Sequence, residues 1–236
     1  MTRVRIIGPG RAGGALHRAL VRAGWSVAPL VGRGQPVERA ADEVDLVVIA
    51  TPDGAVASVA ASIEPRPDVV VAHLSGSLGL GALAAHPRAA VLHPLVALPD
   101  PERGADRLVG AWFGLAAHGD GLVADVVTAL QGRAVHIEEG DWARYHAAAV
   151  IASNHLVALL GQVERVATSV GAPLEAYLDL ARGSLDDVAA LGPAAALTGP
   201  VRRGDAATVQ RHLDALPAEE QGAYRALSQE AARLCR

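Results

Sequence analysis

The chain has 236 residues, 51% of them hydrophobic, and a formal net charge of −4, which allows one large domain or two modest ones with a proper core. Its single cysteine, Cys235, excludes an internal disulfide framework and a cysteine-rich metal site, and the nine histidines show no metal-ligand spacing. The arginines are scattered rather than gathered in a block, which argues against nucleic acid or an anionic membrane surface and for a small-molecule partner.

All 21 basic residues are arginine. A lysine proton donor is therefore excluded, and arginine holds its proton too tightly to replace one near neutral pH. The donor of any proton-transfer step must be His, Tyr, Ser, Thr, Cys or a carboxylic acid. No apolar stretch reads as long and uninterrupted enough to cross a bilayer, and the first residues lack the charged-then-apolar layout of a signal peptide. A cytoplasmic protein is expected.

In chain order, Val4-Arg5-Ile6-Ile7 has the β-branched content of a strand and runs directly into Gly8-Pro9-Gly10-Arg11-Ala12-Gly13. Ala12 to Ala23 follows with Ala and Leu at helical spacing. Strand, G-x-G-x-x-G turn and helix N-terminus thus occur in the order a dinucleotide site needs. Gly8 makes the turn, Gly10 lets the backbone approach a pyrophosphate, and Gly13 lets helix pack on strand. The helix N-terminus adds unpaired N–H groups for the phosphates.

Ser26 to Val31 reads as a second strand, and Pro29 makes it an edge. The segment Gln35 to Glu43 is too short for another helix and strand beyond it. Where an NAD site carries an acidic residue about 20 positions past the glycines, this chain reads Val31-Gly32-Arg33. Arg33 suits a 2′-phosphate, so NADP is expected rather than NAD. Three continuously apolar runs, 46–50, 69–72 and 89–92, fit parallel strands covered on both faces, with helices expected at Gly54 to Ser62 and Leu78 to Ala85. Two more strands are expected at Trp112 to Ala116 and Ala134 to Ile137. The first half is a doubly wound, mostly parallel α/β domain.

Ligands bind outside the carboxyl ends of such strands. Those ends carry Thr51-Pro52-Asp53, expected near the nicotinamide half of the cofactor, then Ser75 within His73 to Ser77, and His93 before Pro94. Asp53 also suits a helix cap, and Ser75 and His93 suit either substrate contacts or structural hydrogen bonds.

At 138–141 the pattern changes to long helix, so domains are expected at 1–140 and 141–236, the second all-helical. Asp141 suits an N-cap, and the helix to about Val170 would run on the order of 40 Å. Its centre, Ala147 to Gly161, is apolar almost all round and so suits a homodimer interface. His146, Ser153 and Asn154 fall near one face at regular pitch, with Asn154 about 80° from His146. Further helices begin at Pro173, at a turn capped by Asp205, and at Pro217.

The glycine turn, "DLVVIATPD" at 45–53, "HLSGS" at 73–77, "LHPL" at 92–95, "YHAAAVIASNHLVALL" at 145–160 and "ALTGPVRRGDAATVQRHL" at 196–213 resemble a bacterial family with a Rossmann-like domain and a short helical domain of unknown function. That family is similar in architecture to pyrroline-5-carboxylate reductase, ketopantoate reductase and the 6-phosphogluconate dehydrogenase superfamily. The resemblance implies NAD(P) binding and dimerisation through the helical domain. "LHPL" also resembles the His-Pro-Met turn of prephenate dehydrogenases. Ketopantoate reductases and β-hydroxyacid dehydrogenases place a lysine donor four residues before an asparagine. Asn154 fits the asparagine, but Val150 stands in the lysine's place. His146, His93 or Thr198 then become the candidate donors, with Arg203 as a carboxylate clamp and Ser75 and Ser153 as substrate contacts. An imine substrate, which can carry its own proton, suffers less from the missing lysine. The expectation is an NADPH-dependent reductase of a small keto or imino acid, the alternative a non-catalytic NADP-binding sensor or assembly protein.

Overall fold

β-branched and leucine-rich runs make the strands of one seven-stranded sheet, ordered β2-β1-β3-β4-β5-β6-β7, in the computed structural model, which describes residues 2–117 and 121–235. The first unit, Met1–Ser153, runs β1 (Arg3–Ile7), α1 (Arg11–Arg22), β2 (Ser26–Val27), β3 (Leu46–Ile49), α2 (Asp53–Ser62), β4 (Val70–His73), β5 (Ala89–Pro94), α3 (Pro101–Leu108), β6 (Trp112–Ala117), α4 (Leu122–Ala129), β7 (Arg133–His136) and α5 (Trp142–Val150). Every residue of β3 and β4 is buried, as parallel strands covered on both faces require. The short β2 closes one edge, extended by a single bridge between Ile7 and Val31. β5 and β6 pair antiparallel, because the connection through α3 returns the chain to the end of the sheet it left, with Leu95 N–H donating to Trp112 O at 2.8 Å.

Two apolar cores flank the sheet. One gathers α1, α3 and α4 around Ile6, Leu16, Leu20 and Phe113, and the other holds Ile49, Ile63, Leu83 and Trp142. α1 and α3 approach so closely that a Cβ on Gly14 would lie 3.0 Å from Pro101, and one on Gly104 2.8 Å from the Ala15 Cβ. α3 and α4 are not foreseen from the sequence. The helix expected over Leu78 to Ala85 is only a 3-10 turn, Leu80–Leu83, since Gly79 and Gly81 weaken any longer helix there.

The second unit, Asn154–Arg236, is helical: α6 (Leu156–Ser169), α7 (Leu174–Leu191), α8 (Pro193–Ala196), α9 (Gly199–Arg202), α10 (Ala206–Ala215) and α11 (Ala218–Arg233). Asp205 caps α10 as expected, accepting from Thr208 N–H at 3.0 Å. Asp141 does not cap its helix, because its carboxylate is taken by Arg144. The long helix begins where the sequence changes pattern, but the unit boundary falls at 153, since Trp142 in its first turn is buried in the core of the sheet domain. Between α5 and α6 the backbone makes a π-turn, Ile151–His155, so the regular pitch used to align His146 with Ser153 and Asn154 does not hold. The expectation that no apolar stretch is long enough to cross a bilayer is also overturned: the helical run Glu139–Ser169 is long and apolar enough by length and composition, and its most apolar stretch is not buried within the chain. Trp142 nevertheless anchors it in the core, and Arg165 pairs with Glu220.

Candidate functional site

The Gly8–Gly13 turn joins β1 to the N-terminus of α1. Gly8 has φ +107°, a left-handed conformation glycine adopts without strain, and its N–H donates to Val31 O at 2.8 Å, tying the turn to the end of the edge strand. A Cβ on Gly13 would stand 2.0 Å from Gly8 O and 2.9 Å from the Ala50 Cβ, so only glycine lets α1 pack here. A Cβ on Gly10 would meet nothing within 4 Å. The turn is therefore tight behind and open in front, as a phosphate cradle must be. Arg11 and Arg33 are exposed on this side, and neither makes a hydrogen bond or ion pair with the described residues. Thr51 follows β3, and its Oγ1 is buried without a partner among the described residues.

Asp53 opens α2 and makes no capping bond. Its carboxylate accepts from the Ser77 hydroxyl, which links the ends of β3 and β4. The loop after β4 is ordered from within. His73 is fully buried, its Nδ1 accepting from Ser75 N–H at 3.2 Å and its Nε2 lying 3.2 Å from Gly79 O. Because Nδ1 accepts, the ring's hydrogen resides on Nε2, and burial lowers its pKa. Ser75 Oγ accepts from the amides of Ser77 and Leu78 at 3.2 and 3.3 Å, which commits it to shaping the loop.

His93 stands on β5 beside this loop, within a cluster of rings from α5. Its Nδ1 is 2.8 Å from Tyr145 Oη, and its ring meets those of Tyr145 and His146 edge-on at centroid distances of 5.6 and 6.0 Å. Two glycines make room for them. A Cβ on Gly76 would lie 2.5 Å from His93 Nε2 and 2.7 Å from His146 Cδ2, and one on Gly114 2.3 Å from Tyr145 Oη. Burial, then the neighbouring His146, pushes His93 down to about 4, while burial pushes Tyr145 up to about 12. Both shifts favour the neutral forms, so His93 and Tyr145 offer uncharged hydrogen-bonding groups.

His93, His146, Ser75 and Asp53 thus come together in the first unit. Ser153 lies on the π-turn and returns its hydroxyl to Ala149 O at 2.6 Å. Asn154, Thr198 and Arg203 belong to the second unit. Thr198 lines a largely apolar cavity of about 800 Å³ there, together with Tyr177, His212 and Tyr224, and Arg203 lies near Asp205, whose carboxyl is lowered chiefly by the Thr208 hydroxyl. Tyr145 opens the 145–160 motif, but its partner on β5, fifty-two positions away, is not legible in the sequence.

Residues 113–231 match a family model described as a domain of unknown function, DUF2520. The chain belongs to this family. No curated protein matches the DUF2520 chain. Among solved structures it is similar to a Bacteroides fragilis protein proposed as an NADP oxidoreductase, at 21% identity over 98% of both chains with a TM-score of 0.80. An Aspergillus terreus reductive aminase, solved with NADPH and ethyl levulinate, is 16% identical over 99% of this chain and 94% of its own, with a TM-score of 0.72. Plasmodium falciparum pyrroline carboxylate reductase, with NADP bound, is 15% identical over 100% and 98%, with a TM-score of 0.63. At these identities the likeness is one of fold, and it establishes the DUF2520 chain as a Rossmann-like α/β domain followed by a helical region.

Proposed function

We propose that this DUF2520 protein is an NADPH-dependent reductase of a small keto or imino acid. The observation that carries the reading is the turn of Gly8, Pro9, Gly10, Arg11, Ala12 and Gly13, closed behind Gly13 and open in front of Gly10. Arg33, exposed just beyond the Val31 bridge and with no hydrogen bond or ion pair among the described residues, supports a 2′-phosphate and hence NADP over NAD. The buried Thr51 Oγ1, without a partner among the described residues, supports a polar ligand at the end of β3, where Thr51, Pro52 and Asp53 would flank the nicotinamide half. When bound, NADPH supplies the hydride. The chain's task is then to orient the substrate and hold a proton, with His93 and His146 as candidate donors in the absence of any lysine. The NADP and NADPH complexes among similar folds support the same cofactor class.

Titration with NADPH and NADH, followed by turnover with 2-keto acids, ketopantoate and cyclic imines, tests the reading. NADPH should bind more tightly than NADH, and Arg33→Ala should weaken NADPH binding about tenfold, roughly 1.4 kcal/mol, while leaving NADH unaffected. If neither cofactor binds at millimolar concentration, the proposal fails. Binding without turnover of the whole panel would replace it with a non-catalytic NADP-binding role.

A further inference from the structure

The phenol of Tyr145 has one proton to place, and His93 Nδ1, at 2.8 Å, is the acceptor the structure provides for it among the described residues. If Nδ1 carried the imidazole hydrogen, that bond would have to run the other way and leave the phenol proton without an acceptor in a half-buried place, which is costly. The remaining ring nitrogen, Nε2, makes no hydrogen bond to the described residues, and His93 is partly exposed. Gly76 packs beside that edge of the ring, and any larger residue there would cover it, since a Cβ would stand 2.5 Å from Nε2.

We infer that Tyr145 is a positioning residue that fixes His93 as its neutral Nε2–H tautomer, making Nε2–H the donor to the substrate oxygen or nitrogen that gains an electron pair during reduction. The role in reduction rests on the reductase reading above; the tautomer does not. In carbonyl reduction the C=O π pair moves onto oxygen as the hydride arrives, and that oxygen takes the Nε2 proton. The Tyr145 proton passes to Nδ1 as Nε2 gives up its own, and for the next turnover Nε2 takes up a proton from solvent while Nδ1 returns its proton to the phenolate, restoring the Nε2–H ring and the phenol. His93 then stands again as a neutral ring without ever having been an imidazolium. The groups facing it are Tyr145 and His146 from α5, His73 from β4, and Asp53 from the start of α2. Asp53 alone favours the charged ring, against burial and the two histidines.

The test is ¹⁵N NMR of the ring nitrogens in ¹⁵N-histidine-labelled full-length protein, with His93 assigned by His93→Asn. The expected spectrum shows one neutral Nε2–H tautomer at pH 7 that protonates only near pH 4. Tyr145→Phe should mix the two tautomers and lower kcat for keto substrates about tenfold, with NADPH affinity unchanged. A wild-type His93 in the Nδ1–H form, or a tautomer indifferent to Tyr145→Phe, overturns the inference. Should Tyr145→Phe not fold, the wild-type tautomer decides alone. Failure to bind NADPH would sink the reductase reading while leaving the tautomer result standing, so the two failures are distinguishable.

Discussion

Gly10 and Gly13 lie three positions apart in one turn, and the structure separates their roles. Gly13 has no room for a methyl group, with Gly8 O at 2.0 Å from its would-be Cβ, so Gly13→Ala should destabilise the fold by about 1–3 kcal/mol as an overpacked site does. Gly10 is extended, at φ −67° and ψ −168°, and faces open space. Gly10→Ala should leave the Tm unchanged and weaken NADPH binding about tenfold or more, because the only atoms a methyl group could meet belong to the ligand. Thermal melts and an NADPH titration on the two variants check this contrast. An equal loss of stability in both would remove the cradle interpretation. The spacing of these glycines was legible because the turn is local. Gly76 and Gly114, equally constrained, were not, because the rings they accommodate come from elements distant in sequence.

Among the elements, the strands were readable from continuous apolar runs, since burial on both faces leaves no place for polar residues in β3 and β4. Helix α3 was missed although its start carries a strong signal. Asp100 precedes Pro101, and its Oδ1 accepts from the amides of Glu102 and Arg103 at 3.0 and 2.9 Å, while proline at the first position costs no hydrogen bond. Asp100→Ala should cost about 1 kcal/mol, measured by urea denaturation. No change would mean that packing on α1 alone holds α3. The π-turn at Ile151–His155 was beyond sequence reading, because a single added residue per turn leaves composition and hydrophobic spacing almost untouched.

At the scale of the whole molecule, the two units bury their apolar residues very differently. Among the described residues of the helical unit, the buried hydrophobics are Ala167 and Leu213, whereas Val157, Val170, Leu180, Leu185, Val188, Leu191, Leu227 and Leu234 are exposed. A helical unit with so small a core needs further apolar cover. We propose a second copy of the chain as that cover, with the helical unit as the interface. Light scattering after gel filtration should give twice the 24.2 kDa chain mass, and Leu180→Glu should shift it to monomer and lower the Tm by several degrees. A monomer for the unsubstituted protein at micromolar concentration would overturn the homodimer.

By itself, the sequence determined the class of fold, the strand order's edge at β2, the glycine turn and the exclusion of a lysine donor. Each is a matter of composition or of residues within a few positions of one another, where spacing alone carries the geometry. Only the tertiary structure decided that Ser75 and His73 serve their own loop, that Asp53 binds Ser77 instead of capping α2, and that His93 meets Tyr145 and His146. Those contacts join β3, β4, β5 and α5, and whether a polar side chain is satisfied by the fold or left for a ligand depends on neighbours that sequence distance does not reveal.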